Sequence, residues 1–245
     1  VVVKSLPVQC KRDRTRCAIV TAAIEIIAVK GLDAASIDEL MRAAGMARGT
    51  FYNYFQSRDE VLAAVAFALQ SQIREAVENR IPAGLTPPQV IACMIYGFTQ
   101  FCLDRPLLGW TWVRIGGGDR WLMTESPSEP TFPRADAALA EIIDEDLSYL
   151  LAICFIQGVS HNVVWRLLEN HITMADADRV LQLMMRGLGM TAKQIASSAT
   201  MAREFATQIH HTLIAPENRL NFGAVVPNKI VPNKIAAKKS APKKG

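Results

Sequence analysis

Apolar residues recur along this chain at spacings of three and four, the period of an amphipathic helix, while the alternating runs of half-buried strands do not recur. The first stripe lies between residues 13 and 30, where Ile19, Val20, Ala23, Ile24 and Ile27 share one helix face. Gly31 comes next as a stop, because a residue without a β-carbon takes the left-handed conformation that closes a helix. A second helix is predicted to open at Ser36, with Glu39 completing a capping box and Ile37, Leu40, Met41 and Ala44 as the buried face. Gly45 breaks it, and a short third helix is expected over residues 47–54. A second capping box, Ser57 with Glu60, opens a long fourth helix to about Asn79, on the stripe Val61, Leu62, Val65, Leu69 and Ile73.

Prolines punctuate the chain beyond this helix. Pro82, Pro87 and Pro88 mark the connection to a fifth helix over residues 87–103, with Thr86 as its cap. Pro106 starts a short sixth helix that ends by Gly116, and a Pro- and Gly-rich loop runs over 116–133. Further helices are predicted near 135–146, 148–170, 174–188 and 191–213. The run from Leu150 to Val164 is apolar nearly all round, which predicts burial on all faces, against its own core and against a partner subunit. After Pro216 the character changes: residues 226–230 (VPNKI) recur at once as 231–235, and the end is rich in Lys, Ala and Pro. Such a segment buries too little apolar area to offset its ordering entropy, so disorder is expected. The reading is an all-α protein. An N-terminal arm and three-helix headpiece occupy 1–57, a larger helical domain for ligand binding and dimerisation 58–215, and a Lys-rich tail 216–245.

The most informative unit is SIDELMRAAGMARGTFYNYF, Ser36 to Phe55, which reads as helix, glycine turn, helix. In a helix-turn-helix the first helix braces the second, whose outer face is left free to enter a major groove. Ile37, Leu40, Met41, Met46, Phe51 and Phe55 supply the bracing. Arg48, Thr50, Tyr52, Asn53 and Tyr54 are the groove-facing candidates, all able to donate hydrogen bonds. Tyr54 fits core packing equally well. Arg12, Arg14 and Arg16 are either a solvated helix start or phosphate contacts.

The segment from about Thr15 to Leu62 resembles the headpiece of the tetracycline-repressor (TetR) family of regulators. The resemblance is carried by the run from Ala44 to Phe55 (AGMARGTFYNYF) and by Ser57 to Leu62 (SRDEVL). It implies a homodimer with a ligand pocket in the larger part, bound as a sequence-specific regulator, most simply a repressor, to a palindromic operator in double-stranded DNA. At matching positions it implies phosphate contacts for Thr50 and Tyr52, a phosphate or base-edge contact for Arg48, a basic phosphate clamp at Arg58, and a cap that also touches phosphate at Ser36. Ala47 departs from the pattern, standing where the family commonly has a serine cap.

Residues 91–132 are rich in large apolar side chains, among them Met94, Phe98, Phe101, Trp110, Trp112 and Trp121. They line either a pocket for an apolar or aromatic small-molecule effector or a well-filled core. Composition narrows the alternatives. Half of the 245 residues are hydrophobic and 20% are charged, an ordinary globular balance. The five cysteines are widely spaced with no CxxC pair, and the four histidines show no metal-ligand spacing, so reduced thiols and no metal are expected. No GxGxxG, P-loop, GxSxG or HExxH is present, which argues against an enzyme and for no cofactor. No long uninterrupted apolar stretch and no signal-peptide core stand out, so a cytoplasmic protein with no membrane partner is expected. The net charge of +4 is unevenly spread: nine basic and seven acidic residues over 1–60, twelve and sixteen over 61–227, six lysines and no acid over 228–245. An alternative use of that basic end is an architectural DNA binder without an effector, whose contact would be sequence-independent and steeply salt-dependent.

Overall fold

The computed structural model describes residues 11–115, 131–143 and 147–213. Their α-helices are α1 (Lys11–Lys30), α2 (Ile37–Ala43), α3 (Arg58–Ala76), α4 (Pro87–Asp104), α5 (Pro106–Arg114), α6 (Pro133–Ile142), α7 (Tyr149–Leu168), α8 (Met174–Gly187) and α9 (Ala192–Leu213). No strand occurs among the described residues. The Lys-rich tail, and Trp121 with most of the loop predicted over 116–133, lie outside them.

α1 is the hub of the headpiece. Ile19, Val20, Ala23, Ile24 and Ile27 are all fully buried, and α1 packs on α2, α3 and α5. Each isoleucine so buried contributes roughly 1.5–3 kcal/mol of apolar burial. Gly31 closes the helix, its amide donating to the Ile27 carbonyl at 3.0 Å. Ser36 then caps α2, its hydroxyl accepting from the Glu39 amide at 3.2 Å. The reciprocal half of that predicted box is not made. The Glu39 carboxylate turns outward to Arg42 and Lys30, each at 2.6 Å, and these cations hold its carboxyl down to about 2. Gly45, at φ 68°, turns the chain out of α2 through a left-handed position that a β-carbon would strain.

The predicted third helix is a 3-10 turn, Arg48–Asn53, rather than an α-helix. The Thr50 amide reaches the Ala47 carbonyl at 2.9 Å and the Tyr54 amide the Phe51 carbonyl at 2.9 Å, the tighter three-residue closure. The absent cap accounts for this, since Ala47 has no side-chain oxygen for the first-turn amides. At Ser57 the cap is present, and its hydroxyl accepts from the Glu60 amide at 3.2 Å. α3 ends three residues earlier than its stripe predicts and continues as a 3-10 turn, Glu78–Arg80. Glu78 is drawn inward to cap α6, accepting from the amides of Arg134 (2.8 Å) and Ala135 (3.2 Å). Arg134 returns the contact to the carbonyls of Ile81 and Pro82.

The body is organised around α4, which packs against α9, α6, α7 and α5. Gly109 allows the tight α4–α5 corner, because a β-carbon there would lie 2.6 Å from the Cys102 carbonyl oxygen. A buried-edge network joins α4, α8 and α9: Asp178 accepts from Tyr96 (2.6 Å), Gln182 (2.7 Å) and Arg203 (2.9 and 3.1 Å). α7 departs from its predicted burial on all faces. Ala152, Ser160, Val163, Val164 and Leu167 are buried, while Tyr149, Leu150, Leu151 and Phe155 are exposed. By length and composition alone it is also apolar enough to cross a membrane, contrary to the expectation from uninterrupted runs. Gln157, His161 and Asn162 interrupt the apolar run without lowering its mean hydropathy enough to fail that test. Of the cysteines, Cys93 and Cys102 are buried, Cys17 is half-buried and Cys154 is exposed; Cys10 lies outside the described residues.

Restoring the missing cap supplies a check on this account. Ala47→Ser is expected to raise headpiece stability by about 0.5–1 kcal/mol, read as a higher urea midpoint at unchanged m-value.

Candidate nucleic-acid interface

The helix-turn-helix presents a buried side and an open one. Phe51 and Phe55 are fully buried, with ring centroids 5.9 Å apart. Between them the 3-10 turn throws Tyr52 outward, 59% exposed, its ring edge-on to Phe51. Arg48 and Asn53 are exposed beside it, Thr50 is half-buried, and Ser36 is exposed at the start of α2. Ser36, Arg48, Thr50, Tyr52 and Asn53 thus sit on the headpiece surface. Arg48 is paired with Asp38 of α2 at 2.8 Å. Both partners are well exposed, so exchanging Asp38 for a phosphate or a base edge costs little.

Two predicted contacts fall elsewhere. Tyr54 packs against the core, half-buried, so of its two readings the structure takes core packing. Arg58 is half-buried and turned back into the headpiece, its Nε donating to the Ala35 carbonyl at 2.7 Å and Nη2 to the Leu32 carbonyl at 2.5 Å. Its guanidinium closes the α1–α2 connection instead of standing free as a phosphate clamp. The Leu32 carbonyl also accepts from the Ala35 amide at 3.1 Å, so there the guanidinium adds a second donor at a 3-10 turn.

Arg16 is corrected more sharply. Neither solvated nor at a phosphate position, it is 3% exposed. Its guanidinium donates to the Tyr54 carbonyl at 2.8 Å, lies 4.1 Å above the Phe55 ring, and faces the Glu60 carboxylate at 3.7 Å. One side chain of α1 therefore joins the end of the recognition turn to the start of α3. A signal for this was present in the sequence: Arg16 precedes Ile19, Val20 and Ala23 by three, four and seven, and so lies on the apolar stripe. Arg14 is exposed at the start of α1, and the Arg12 side chain lies outside the described residues.

The body meets the headpiece through α5. The Thr111 hydroxyl shares its proton between the Leu107 carbonyl of its own helix at 2.8 Å and the Ile24 carbonyl of α1 at 3.2 Å, and Arg114 donates to the Ala28 carbonyl of α1 at 2.7 Å. Periodicity singled out neither residue. Of the proposed ligand-lining residues, Phe98, Phe101 and Trp112 are buried, with Phe98 edge-on to Trp112 at 5.0 Å. Met94 and Trp110 are half-buried, Trp110 beneath the Arg114 guanidinium at 5.0 Å. A cavity of about 540 Å³ lies elsewhere, at the surface between Thr86, Gln89, Glu141, Met190 and Lys193.

A braced two-element turn with an open polar face, carried on an all-helical body, defines the class: a helix-turn-helix protein. Residues 19–65 match the family model of bacterial regulatory proteins of the tetR family. The likeness is confined to the headpiece, residues 19–65 of 245. The chain is 43% identical over 63 residues to the HTH-type transcriptional regulator YvdT of Bacillus subtilis, covering 26% of this chain and 32% of that one. The aligned stretch is about a third of that relative's length. Two solved structures share the fold. One is a TetR-family regulator from Rhodococcus sp., with TM-score 0.53 at 17% identity, covering 71% of this chain and 98% of the other. The second is FadR from Bacillus subtilis in complex with stearoyl-CoA, with TM-score 0.50 at 22% identity, covering 69% and 97%. These similar proteins are transcriptional regulators, not enzymes.

Arg16 offers the sharpest test of the interface's internal support. Arg16→Ala leaves the Tyr54 carbonyl and Glu60 without their cation and is expected to cost about 2–3 kcal/mol of stability in urea denaturation. Arg14→Ala, an exposed control on the same helix, is expected to stay within about 0.5 kcal/mol of the parent.

Proposed function

We propose that this protein is a cytoplasmic, homodimeric transcriptional regulator that binds a palindromic operator and is released from it by an apolar small-molecule effector. The observation that carries the DNA-binding half is the exposed set Arg48, Tyr52 and Asn53, with half-buried Thr50 beside them, around a buried Phe51. Such a face docks with phosphate contacts that position and base contacts that specify. Thr50, Tyr52 and Ser36 take the positioning role. Arg48 and Asn53 are the base-reading candidates. The domain boundary at residue 57 falls in this reading between the recognition turn and α3.

The exposed side of α7 supports the dimer. Leu150, Leu151 and Phe155 continue across α8 as Val180 and Leu183, a stripe too apolar to face water. A second copy related by a two-fold axis covers it and places the two recognition turns about 34–36 Å apart, the spacing of successive major grooves. The same covering accounts for the membrane-like hydropathy of α7 in a soluble protein.

For the effector, the aromatic side chains of α4 and α5 remain the proposed apolar wall, and the stearoyl-CoA complex of FadR is an instance of this fold holding a ligand with a long acyl chain. The coupling route runs through α5, whose Thr111 and Arg114 grip α1, as well as along α3. A ligand that displaces α5 drags α1, and with it Arg16 and the recognition turn. Its effect is bounded by its differential affinity for the two states, typically about 1–3 kcal/mol.

Selection of bound sites from random DNA supplies the operator, and two sets of variants then test the assignment. Tyr52→Phe is expected to weaken binding about equally on all sequences, whereas Arg48→Ala relaxes preference at one base pair by about 1–3 kcal/mol. If both variants bind the selected site as tightly as the parent, the interface lies elsewhere. Leu151→Glu with Leu183→Glu is expected to yield a monomer in analytical ultracentrifugation, and a persistent dimer would move the interface off α7 and α8.

A further inference from the structure

The pairing of Arg48 with Asp38 bears on what Arg48 can read, an inference that rests on the proposed DNA-binding function. Two acidic residues open α2, and they face different cations. Glu39 holds Lys30 through Oε1 at 2.6 Å and Arg42 through both oxygens, at 2.6 and 3.1 Å. Asp38 turns instead to the recognition element, where its Oδ2 accepts from Arg48 Nη1 at 2.8 Å. This contact spans the glycine turn, joining the second residue of α2 to the first residue of the 3-10 turn. The two side chains are 64% and 63% exposed, so the pair stands on the headpiece surface together with Tyr52 and Asn53.

An arginine carries one positive charge but five N–H donors. Asp38 neutralises the charge and engages Nη1, which leaves the edge formed by Nε and Nη2 for a further pair of acceptors. Two acceptor pairs on DNA fit such an edge: two oxygens of a phosphate, and O6 with N7 of a guanine in the major groove. The phosphate is an anion. It would share one guanidinium with the Asp38 carboxylate, at a distance where like charges repel. Releasing Asp38 does not remove the conflict. Parting an exposed pair costs little in water, yet the freed carboxylate stays on the surface that meets the polyanion. The guanine edge is uncharged and tolerates the carboxylate beside it.

We propose that Asp38 is a specificity-determining residue: paired with it, Arg48 reads a guanine and not the backbone. Asp38 acts through Arg48 and is therefore a positioning residue. The test uses the full chain, with the operator recovered by selection and random-sequence DNA as probes, and affinities read by fluorescence anisotropy over a range of salt. One guanine of the operator is expected to be preferred by at least about tenfold, a preference that Arg48→Ala abolishes. Asp38→Asn keeps the size of the side chain and removes its charge. It is expected to cut the guanine preference to about threefold or less. Random-sequence DNA is then bound more tightly, with a salt slope steeper by about 0.9 as Arg48 takes a phosphate. In the Arg48→Ala background the same substitution is expected to leave the slope unchanged. Glu39→Gln removes an equal charge one residue away and is expected to keep the guanine preference, since Arg48 stays paired. An Asp38→Asn protein with the parent's guanine preference overturns the inference. So does a slope that steepens equally without Arg48, or a preference lost equally in Glu39→Gln, since each marks a general charge effect. A parent that prefers no sequence at all overturns the proposed DNA-reading function itself.

Discussion

The headpiece depends on the burial of one stripe of α1. Ile19, Val20, Ala23, Ile24 and Ile27 have no exposed surface, and α2, α3 and α5 are all assembled against them. α2 is seven residues long and the recognition element is six, the latter bonded as a 3-10 turn. Segments this short are unstable alone, because nucleation costs more than so few hydrogen bonds return. Their shape is imposed by what they pack on. Arg16 extends this dependence from apolar contact to hydrogen bonding. It ties the recognition turn to the helix on which everything else is built, and a guanidinium sealed over Phe55 tolerates little displacement of either neighbour.

Under the proposed function, that arrangement is the route by which a signal in the body reaches DNA without touching it. α5 holds α1 through two carbonyls, those of Ile24 and Ala28, one turn apart. Side chain to backbone bonds of this kind fix position along the helix as well as separation. In the proposed mechanism, movement of α5 is passed to α1 through these bonds, and to the recognition turn through Arg16. In the proposed dimer, a small rotation of each headpiece is enough to spoil the spacing of two recognition turns. The exposed side of α7 fits the same scheme, since whatever covers it becomes the fixed frame against which the headpieces move.

Much of the fold was legible in the primary structure. The stripes of α1 and α3, the caps at Ser36 and Ser57, and the proline-led starts of α4 and α5 arise from local rules, because each depends on residues within one turn of each other. The exposed set Arg48, Tyr52 and Asn53 was legible for the same reason. What failed was any statement about where a long side chain ends. Arg58 reads as a phosphate clamp and Arg16 as a solvated helix start or a phosphate contact, yet each is used inside the headpiece, at carbonyls 23 and 38 residues away. The Glu39 carboxylate was read as half of a capping box and instead joins Lys30 and Arg42.

Sequence alone determined the elements and their apolar faces, since periodicity and capping are properties of neighbouring residues. It determined too that residues 36–55 form a braced turn with a polar outer side. Tertiary structure alone decided which of those polar and charged groups remain free, because a carbonyl left over at a loop or a 3-10 turn attracts the nearest donor in space, whatever its distance along the chain. It also decided that α7 keeps one side open. An apolar helix is buried only where a neighbour reaches it, and among the described residues Tyr149, Leu150, Leu151 and Phe155 of α7 are left exposed.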